Sequence, residues 1–311
     1  MTKKNVMMYI LIIFALIVLL RFPNESIAAG KEGLLLWFNV IIPTLFPFMI
    51  LSYIILHSPI IDVINKVFTP FFKVLFGVSG VASYVLIMGI LSGYPMGAIL
   101  INDLVTSKKL SANEGSYLLT FCNNPSPMFV IGFVASAQLC NPKLGLPLLL
   151  SIYSGNFITS MLFKKSYPLT YRPTHVAHKP NINLSFTYID DCMAQTAKVL
   201  LKVGGYIILF SIPTLLLSTL PIQHISFKFL ISTLDLTNGI HLLVHSSCNQ
   251  LLKYALLSSL CAFGSLSVVG QTASVLKSSG LPINRYFFSK IINGSITFVC
   301  AIIIFELYLQ N

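Results

Sequence analysis

The chain has 311 residues, 55% of them hydrophobic and only 9% charged, with a mean hydropathy of +0.83. Soluble domains carry about 25% charged residues, so this composition excludes a soluble enzyme or binding domain and identifies a polytopic membrane protein. The formal net charge of +11 does not point to nucleic acid, because the basic residues are scattered through short segments, not gathered in a patch with interleaved aromatics.

At about 20 apolar residues per span, the length implies about seven to ten membrane segments, some of half length. Lys3 and Lys4 precede the apolar run 6–20. A cleaved signal peptide would need the small residues Ser26-Ile27-Ala28, but Arg21, Pro23 and Glu25 interrupt the route to them. An uncleaved first span with a cytoplasmic N-terminus is therefore expected, and with its loop it fills 1–32. The next span, 33–56, contains Asn39, Pro43 and Pro47 and should be kinked, with Trp37 at an interface or packed inside. Residues 60–76 alternate apolar positions with Asp62, Lys66 and Lys73, the pattern of an amphipathic helix lying in the interface or leading into the core.

The chain then meets its most informative stretch. Apolar run 81–91 leads into Ser92-Gly93-Tyr94-Pro95-Met96-Gly97-Ala98, and 99–101 leads out. Glycine weakens a helix interior and proline removes a donor. In lipid such a break survives only when buried in protein or lining a polar cavity. A polar crossing, 102–114, follows, with Ser111 and Glu114 spaced as a capping box. A second break, Cys122-Asn123-Asn124-Pro125-Ser126-Pro127, comes before a short apolar run, 129–137, and a good span, 144–163. Paired broken segments mark the substrate site of many transporters. Ordinary polar turns between short helices are the plainer alternative.

Residues 164–179 hold Lys164, Lys165, Arg172 and Lys179 with no acidic residue, so this linker is expected to be cytoplasmic. With a surface helix, 188–201, it forms a connecting region, 164–198. Span 202–221, a short helix 227–234 and a polar crossing 236–250 come next. Segment 251–276 then repeats the pattern of apolar flanks around Gly264-Ser265-Leu266-Ser267 and Gly270-Gln271-Thr272. A final span, 285–309, bears Asn293 and Gly294.

Two blocks suggest duplication. Ile42-Pro43-Thr44-Leu45 recurs as Ile212-Pro213-Thr214-Leu215, 170 residues later (213 − 43), and Gly93 matches Gly264 at 171 (264 − 93). The expected fold is all-α: two repeats, 33–163 and 199–311, inverted rather than parallel, whose broken helices meet near the bilayer midplane. Segments 91–98 and 263–271 should be non-helical or re-entrant and face each other.

The Ser92–Ala98 block, Phe121 to Pro127, and Phe263-Gly264-Ser265-Leu266-Ser267-Val268-Val269-Gly270-Gln271 resemble the YlbJ/SpoVV family of sporulation membrane proteins, in the nucleoside-recognition (Gate) group. The resemblance covers roughly 33–306 and departs from the family pattern at Cys122 and Ser265, where a threonine-like residue and a glycine are expected. It implies transport of dipicolinic acid during spore formation, through the outer forespore membrane. Nucleoside-type transport and a membrane assembly or scaffold role are the alternatives.

Dipicolinate is a flat aromatic dianion, and its site needs positive character, donors and an apolar ring surface. Helix N-termini at the breaks supply the first. The candidate substrate-binding residues are Ser92, Gly93, Tyr94, Gly97, Asn123, Asn124 and Ser126 in one half, and Gly264, Ser265, Ser267 and Gln271 in the other. The plainer role for each is to satisfy the backbone of its own break, and the two roles are compatible. Asp103 is the candidate coupling residue, with a surface position as its alternative. His241 and His245 are spaced i, i+4, but no carboxylate or cysteine completes a metal set, so no metal or other cofactor is expected. Six cysteines without CxxC spacing read as packing residues. No phosphate-binding loop, hydrolase elbow or HExxH is present, so no enzymatic activity is expected. The expected partners are a small anion, membrane lipid, and a second copy or other sporulation membrane proteins, with no nucleic acid.

Overall fold

A computed structural model describes residues 9, 13, 15–56, 58–167, 186–222 and 224–309, and no strand occurs among them. Residues 6–8, 10–12 and 14 of the expected first span, and 168–179 of the basic linker, lie outside the described residues. Among the described residues, five helices are long and apolar enough to cross a membrane: Pro23–Leu56, Pro142–Lys164, Phe186–Ser218, Gln250–Leu276 and Ile283–Tyr308. Ile60–Phe76 and Gly80–Ser92, bent by 91°, make a sixth if counted as one crossing, while Met96–Thr106 and Phe129–Gln138 are shorter apolar helices. Among the described residues that is five or six candidate spans, against the expected seven to ten segments, some of half length.

Several boundaries differ from expectation. Pro23 opens a helix that runs through a π-helical stretch, Trp37–Ile41, to Leu56, so 23–32 is helix and not loop. Proline at the first helical turn loses no bond and brings its dihedral already set. The surface helix and span expected at 188–201 and 202–221 are one helix, Phe186–Ser218. The polar crossing at 236–250 is largely a helix, Leu236–Val244, capped by Asp235.

The two long helices, 23–56 and 186–218, pack against each other. Gly204 admits the Trp37 ring, whose Nε1 donates to the Leu200 carbonyl at 2.9 Å. Small residues allow such close approach where lipid offers no hydrophobic drive between helices. The repeated tetrapeptide lies on this pair, and it does the same job twice. Thr44 Oγ1 donates to the Val40 carbonyl and Thr214 Oγ1 to the Phe210 carbonyl, both at 2.7 Å. Each threonine covers helix backbone next to a proline that supplies no N–H.

Element lengths carry the duplication further. Met96–Thr106 and Leu266–Leu276 are 170 residues apart at both ends (266 − 96 and 276 − 106). The stretch from Ala112 to Gln138 lies 171 residues before Ile283–Leu309 at both ends (283 − 112 and 309 − 138). The final span is continuous where its counterpart is interrupted by the Asn-Pro turn, 120–126. It is held against Pro142–Lys164 by polar contacts inside the apolar bundle: Asn293 Nδ2 donates to Asn156 Oδ1 at 2.7 Å, and Thr159 Oγ1 to Asn293 Oδ1 at 3.2 Å.

Ile60–Phe76 shows three faces. Ile61 and Phe72 are buried, Val63, Val67, Phe71 and Val74 are exposed apolar residues, and Asp62, Lys66 and Lys73 are charged residues outside the core. That division is the amphipathic pattern expected of this stretch. Ser111 caps Ala112–Leu119 by accepting from the Glu114 N–H at 3.2 Å. The Glu114 carboxylate does not complete the box; it accepts from the Ser79 N–H at the start of the neighbouring helix.

Candidate functional site

Both breaks are short. The first helix, Gly80–Ser92, ends where Gly93 turns to φ 77°, a region open to glycine at no steric cost. The chain passes through Tyr94 and Pro95, joined by a cis bond, and resumes helix at Met96. Only 93–95 is non-helical, against the expected 91–98. The second, Gln250–Phe263, ends at Gly264 with φ 95°, and helix resumes at Leu266 after Ser265 alone. There too the expected 263–271 is far longer than the break. Proline and glycine interrupt a helix only locally, and the apolar residues beyond them fold straight back into it.

The freed backbone groups go to protein. The Leu266 and Ser267 amides donate to the Thr233 and Leu234 carbonyls at 2.7 and 3.0 Å. In the first half the Asn-Pro turn docks on the break: a Cβ on Gly93 would lie 2.6 Å from the Ser126 nitrogen, and one on Gly97 2.9 Å from the Cys122 carbonyl. Ser265 holds φ 88°, a strained angle for a residue with a Cβ.

The two halves meet at these breaks. Tyr94 crosses from the first to the second: its hydroxyl donates to the Cys261 carbonyl at 2.6 Å, and a Cβ on Gly264 would lie 3.0 Å from that oxygen. Asn102 Oδ1 accepts from Ser278 Oγ at 2.9 Å and from the Ser279 N–H at 3.1 Å. Asn123 Nδ2 donates to Thr272 Oγ1 at 3.1 Å and to Tyr286 Oη at 2.9 Å.

A cavity of about 50 Å³ lies between the halves. Tyr94, Pro125, Ser126 and Thr44 wall it from the first half, and Asp235, Thr237, Ser267 and Gln271 from the second. Phe129, Ile41 and Ile207 add apolar surface. It has room for a few waters.

Of the candidate residues, Tyr94, Ser126, Ser267 and Gln271 line the cavity directly. Gly93, Gly97 and Gly264 shape the wall from behind by allowing close approach. Ser92 bonds Ser52 at 3.0 Å, and Ser265 caps the resumed helix through the Val268 N–H at 3.5 Å. Asn123 and Asn124 are buried behind Tyr94, holding their turn to the final span. Asp103 is half-buried beside Asn102 near the end of Met96–Thr106, and the cavity wall does not include it. His241 and His245 stack with ring centroids 4.2 Å apart, and no metal-binding group of side chains occurs among the described residues. All six cysteines are free; Cys122, Cys192, Cys261 and Cys300 are buried as packing residues, whereas Cys248 is half-buried and Cys140 exposed.

Two ionisable residues were not legible as site residues. Asp235 is buried, and its carboxylate accepts from Thr237 Oγ1 at 2.7 Å, the Asn238 N–H at 3.0 Å, Asn238 Nδ2 at 3.1 Å and Ser267 Oγ at 3.2 Å. Asp before Leu236 reads as an ordinary cap until the fold places it on the cavity. Lys290 is 0% exposed and donates to the Asn123 carbonyl at 2.9 Å and to Asn124 Oδ1 at 3.0 Å. A lysine inside the final apolar span was the available signal.

The sporulation integral membrane protein YlbJ of Bacillus subtilis (strain 168) is 28% identical to this chain over 308 residues, an alignment covering 88% of the chain and 76% of that protein. No family model and no solved structure matches.

Proposed function

The chain belongs to the YlbJ family of sporulation integral membrane proteins, and from that premise we propose that it carries a small organic anion across a membrane of the developing spore. Dipicolinate is the substrate we assign and the outer forespore membrane its place of action. The observation that carries this reading is the cavity enclosed by both broken helices and the Asn-Pro turn.

Tyr94 and Phe129 offer ring faces, while Ser126, Thr237, Ser267 and Gln271 offer hydroxyl and carboxamide donors. Pockets for organic molecules run to several hundred Å³, so at about 50 Å³ the cavity is too small for the substrate as it stands. Passage requires the two breaks to part. Tyr94 and Asn102, which tie one half to the other, are where that parting begins. No nucleotide-binding motif is present in the sequence, so movement down a gradient or with a coupled ion drives the cycle.

Purified protein in proteoliposomes tests the reading. Radiolabelled dipicolinate should enter faster than into protein-free vesicles and faster than a nucleoside. Nucleoside uptake without dipicolinate uptake would replace the substrate, and uptake of neither would remove transport as the function.

A further inference from the structure

The final span carries Lys290 about two turns from its start, and nothing of the side chain reaches the surface. An ammonium is among the costliest groups to bury, and buried cations are ordinarily paired with a carboxylate. Here both hydrogen-bond acceptors, the Asn123 carbonyl and Asn124 Oδ1, are uncharged. The Cys122 thiol and the face of Tyr94 are further neighbours, the Tyr94 ring centroid lying 5.7 Å from Nζ. A ring face attracts a cation but does not cancel its charge.

Tyr94 also lines the cavity, as does Pro125, the residue next to Asn124. The ammonium therefore sits one aromatic ring behind the cavity wall. Among the described residues, the wall itself contains no basic side chain, and its one carboxylate, Asp235, repels an anion. A cavity that takes an anion needs a cation, and Lys290 is the buried cation bonded to the segment that forms this wall.

We propose that Lys290 is the counter-charge for a carboxylate of the transported anion and that Tyr94 is the shutter between them. This rests on reading the cavity as the substrate path. Tyr94 is held shut by two contacts to the second broken pair: its hydroxyl on the Cys261 carbonyl and its ring edge over Gly264, where no Cβ intervenes. The Cys261 carbonyl is open to this bond because the helix breaks at Gly264 and Ser265, three and four residues later. When the two breaks part, both contacts go together and the ring is free to turn. Lys290 keeps its bonds to Asn123 and Asn124, and a substrate carboxylate takes the third donor position that the ring had covered. No bond is made or broken covalently, and no proton needs to move.

The test compares proteoliposome uptake of dipicolinate with that of its neutral diamide, in wild type and in Lys290→Gln and Lys290→Met, each normalised to folded protein. Glutamine retains a donor for the Asn-Pro turn without the charge. In wild type, the dianion should be preferred over pyridine-2-carboxylate and both over the diamide. Loss of one charge-assisted bond should lower the dianion-to-diamide ratio in either variant by about ten- to hundredfold. An unchanged ratio in a folded variant would leave Lys290 as a clamp for its turn and overturn the proposal. If neither variant folds, the wild-type order still decides, since equal uptake of the diamide excludes a counter-charge. Wild-type vesicles that take up none of the three would instead defeat the transport reading itself.

Discussion

Gly93 holds φ 77°, and the place of its missing Cβ is 2.6 Å from the Ser126 backbone nitrogen. Alanine there would meet rigid backbone and also have to keep a left-handed angle, together costing roughly 1–3 kcal/mol. At Gly205, by contrast, an added methyl would meet none of the described residues within 4 Å. Gly93→Ala should lower the monodisperse fraction in size-exclusion chromatography, and Gly205→Ala should not. Matching profiles for the two would contradict the docking of the Asn-Pro turn on the break. Ser265 presents the opposite problem, a Cβ already present at φ 88° beside a cap that its hydroxyl supplies. Ser265→Gly trades a cap worth about 1 kcal/mol for relief of strain of similar size. Ser265→Ala loses the cap and keeps the strain. In thermal unfolding the alanine variant should fall below both others; alanine equal to wild type would show that the cap does nothing, and alanine equal to glycine that the angle carries no strain. Residues such as these were readable from sequence because glycine, proline and serine act on their own backbone. Lys290 was not, because its partners lie 166 and 167 positions away and only the fold brings them together.

At the scale of elements, apolar runs located the helices, while their ends moved. The run from Phe186 to Ser218 contains charges at one end and apolar residues at the other, which reads as two elements. It folds as one because the Trp37 ring packs on Gly204 where the two would have parted. The breaks shrank to two or three residues for the opposite reason: nothing beyond Pro95 or Ser265 resists helix. Asn102 shows how such elements are tied. Its carboxamide oxygen accepts from Ser278 Oγ and the Ser279 N–H, joining the first broken pair to the turn after the second. Asn102→Leu would remove both bonds while leaving the exposed Ser278 and half-buried Ser279 to water, a loss of about 0.5–1.5 kcal/mol per bond. The melting temperature in detergent should drop accordingly. A variant as stable as wild type would mean that this turn is not a tie between the halves.

Gly80–Ser92, Met96–Thr106 and the stretch from Ala112 to Gln138 find counterparts 170 or 171 residues later, and Pro142–Lys164 finds none. The tetrapeptide Ile-Pro-Thr-Leu makes that visible in the sequence, and in both copies its threonine bonds the helix carbonyl four residues back. What the repeat could not show is that the copies are unequal. The Asn-Pro turn exists only in the first, and its counterpart in the second is the continuous final span that carries Lys290. One half thus supplies the interrupted backbone and the other the cation that holds it. Between them lies the cavity on which the functional account depends. Substrate protection at its wall is the most direct measurement. With the six native cysteines replaced, Thr44→Cys lines the cavity, and Leu209→Cys, on an apolar surface 62% exposed, serves as control. At about ten times its Kd, dipicolinate should slow modification of Thr44→Cys by a small thiol reagent about tenfold and leave Leu209→Cys unchanged. Modification of Thr44→Cys at the same rate with and without dipicolinate, in protein that transports it, would place the substrate path elsewhere.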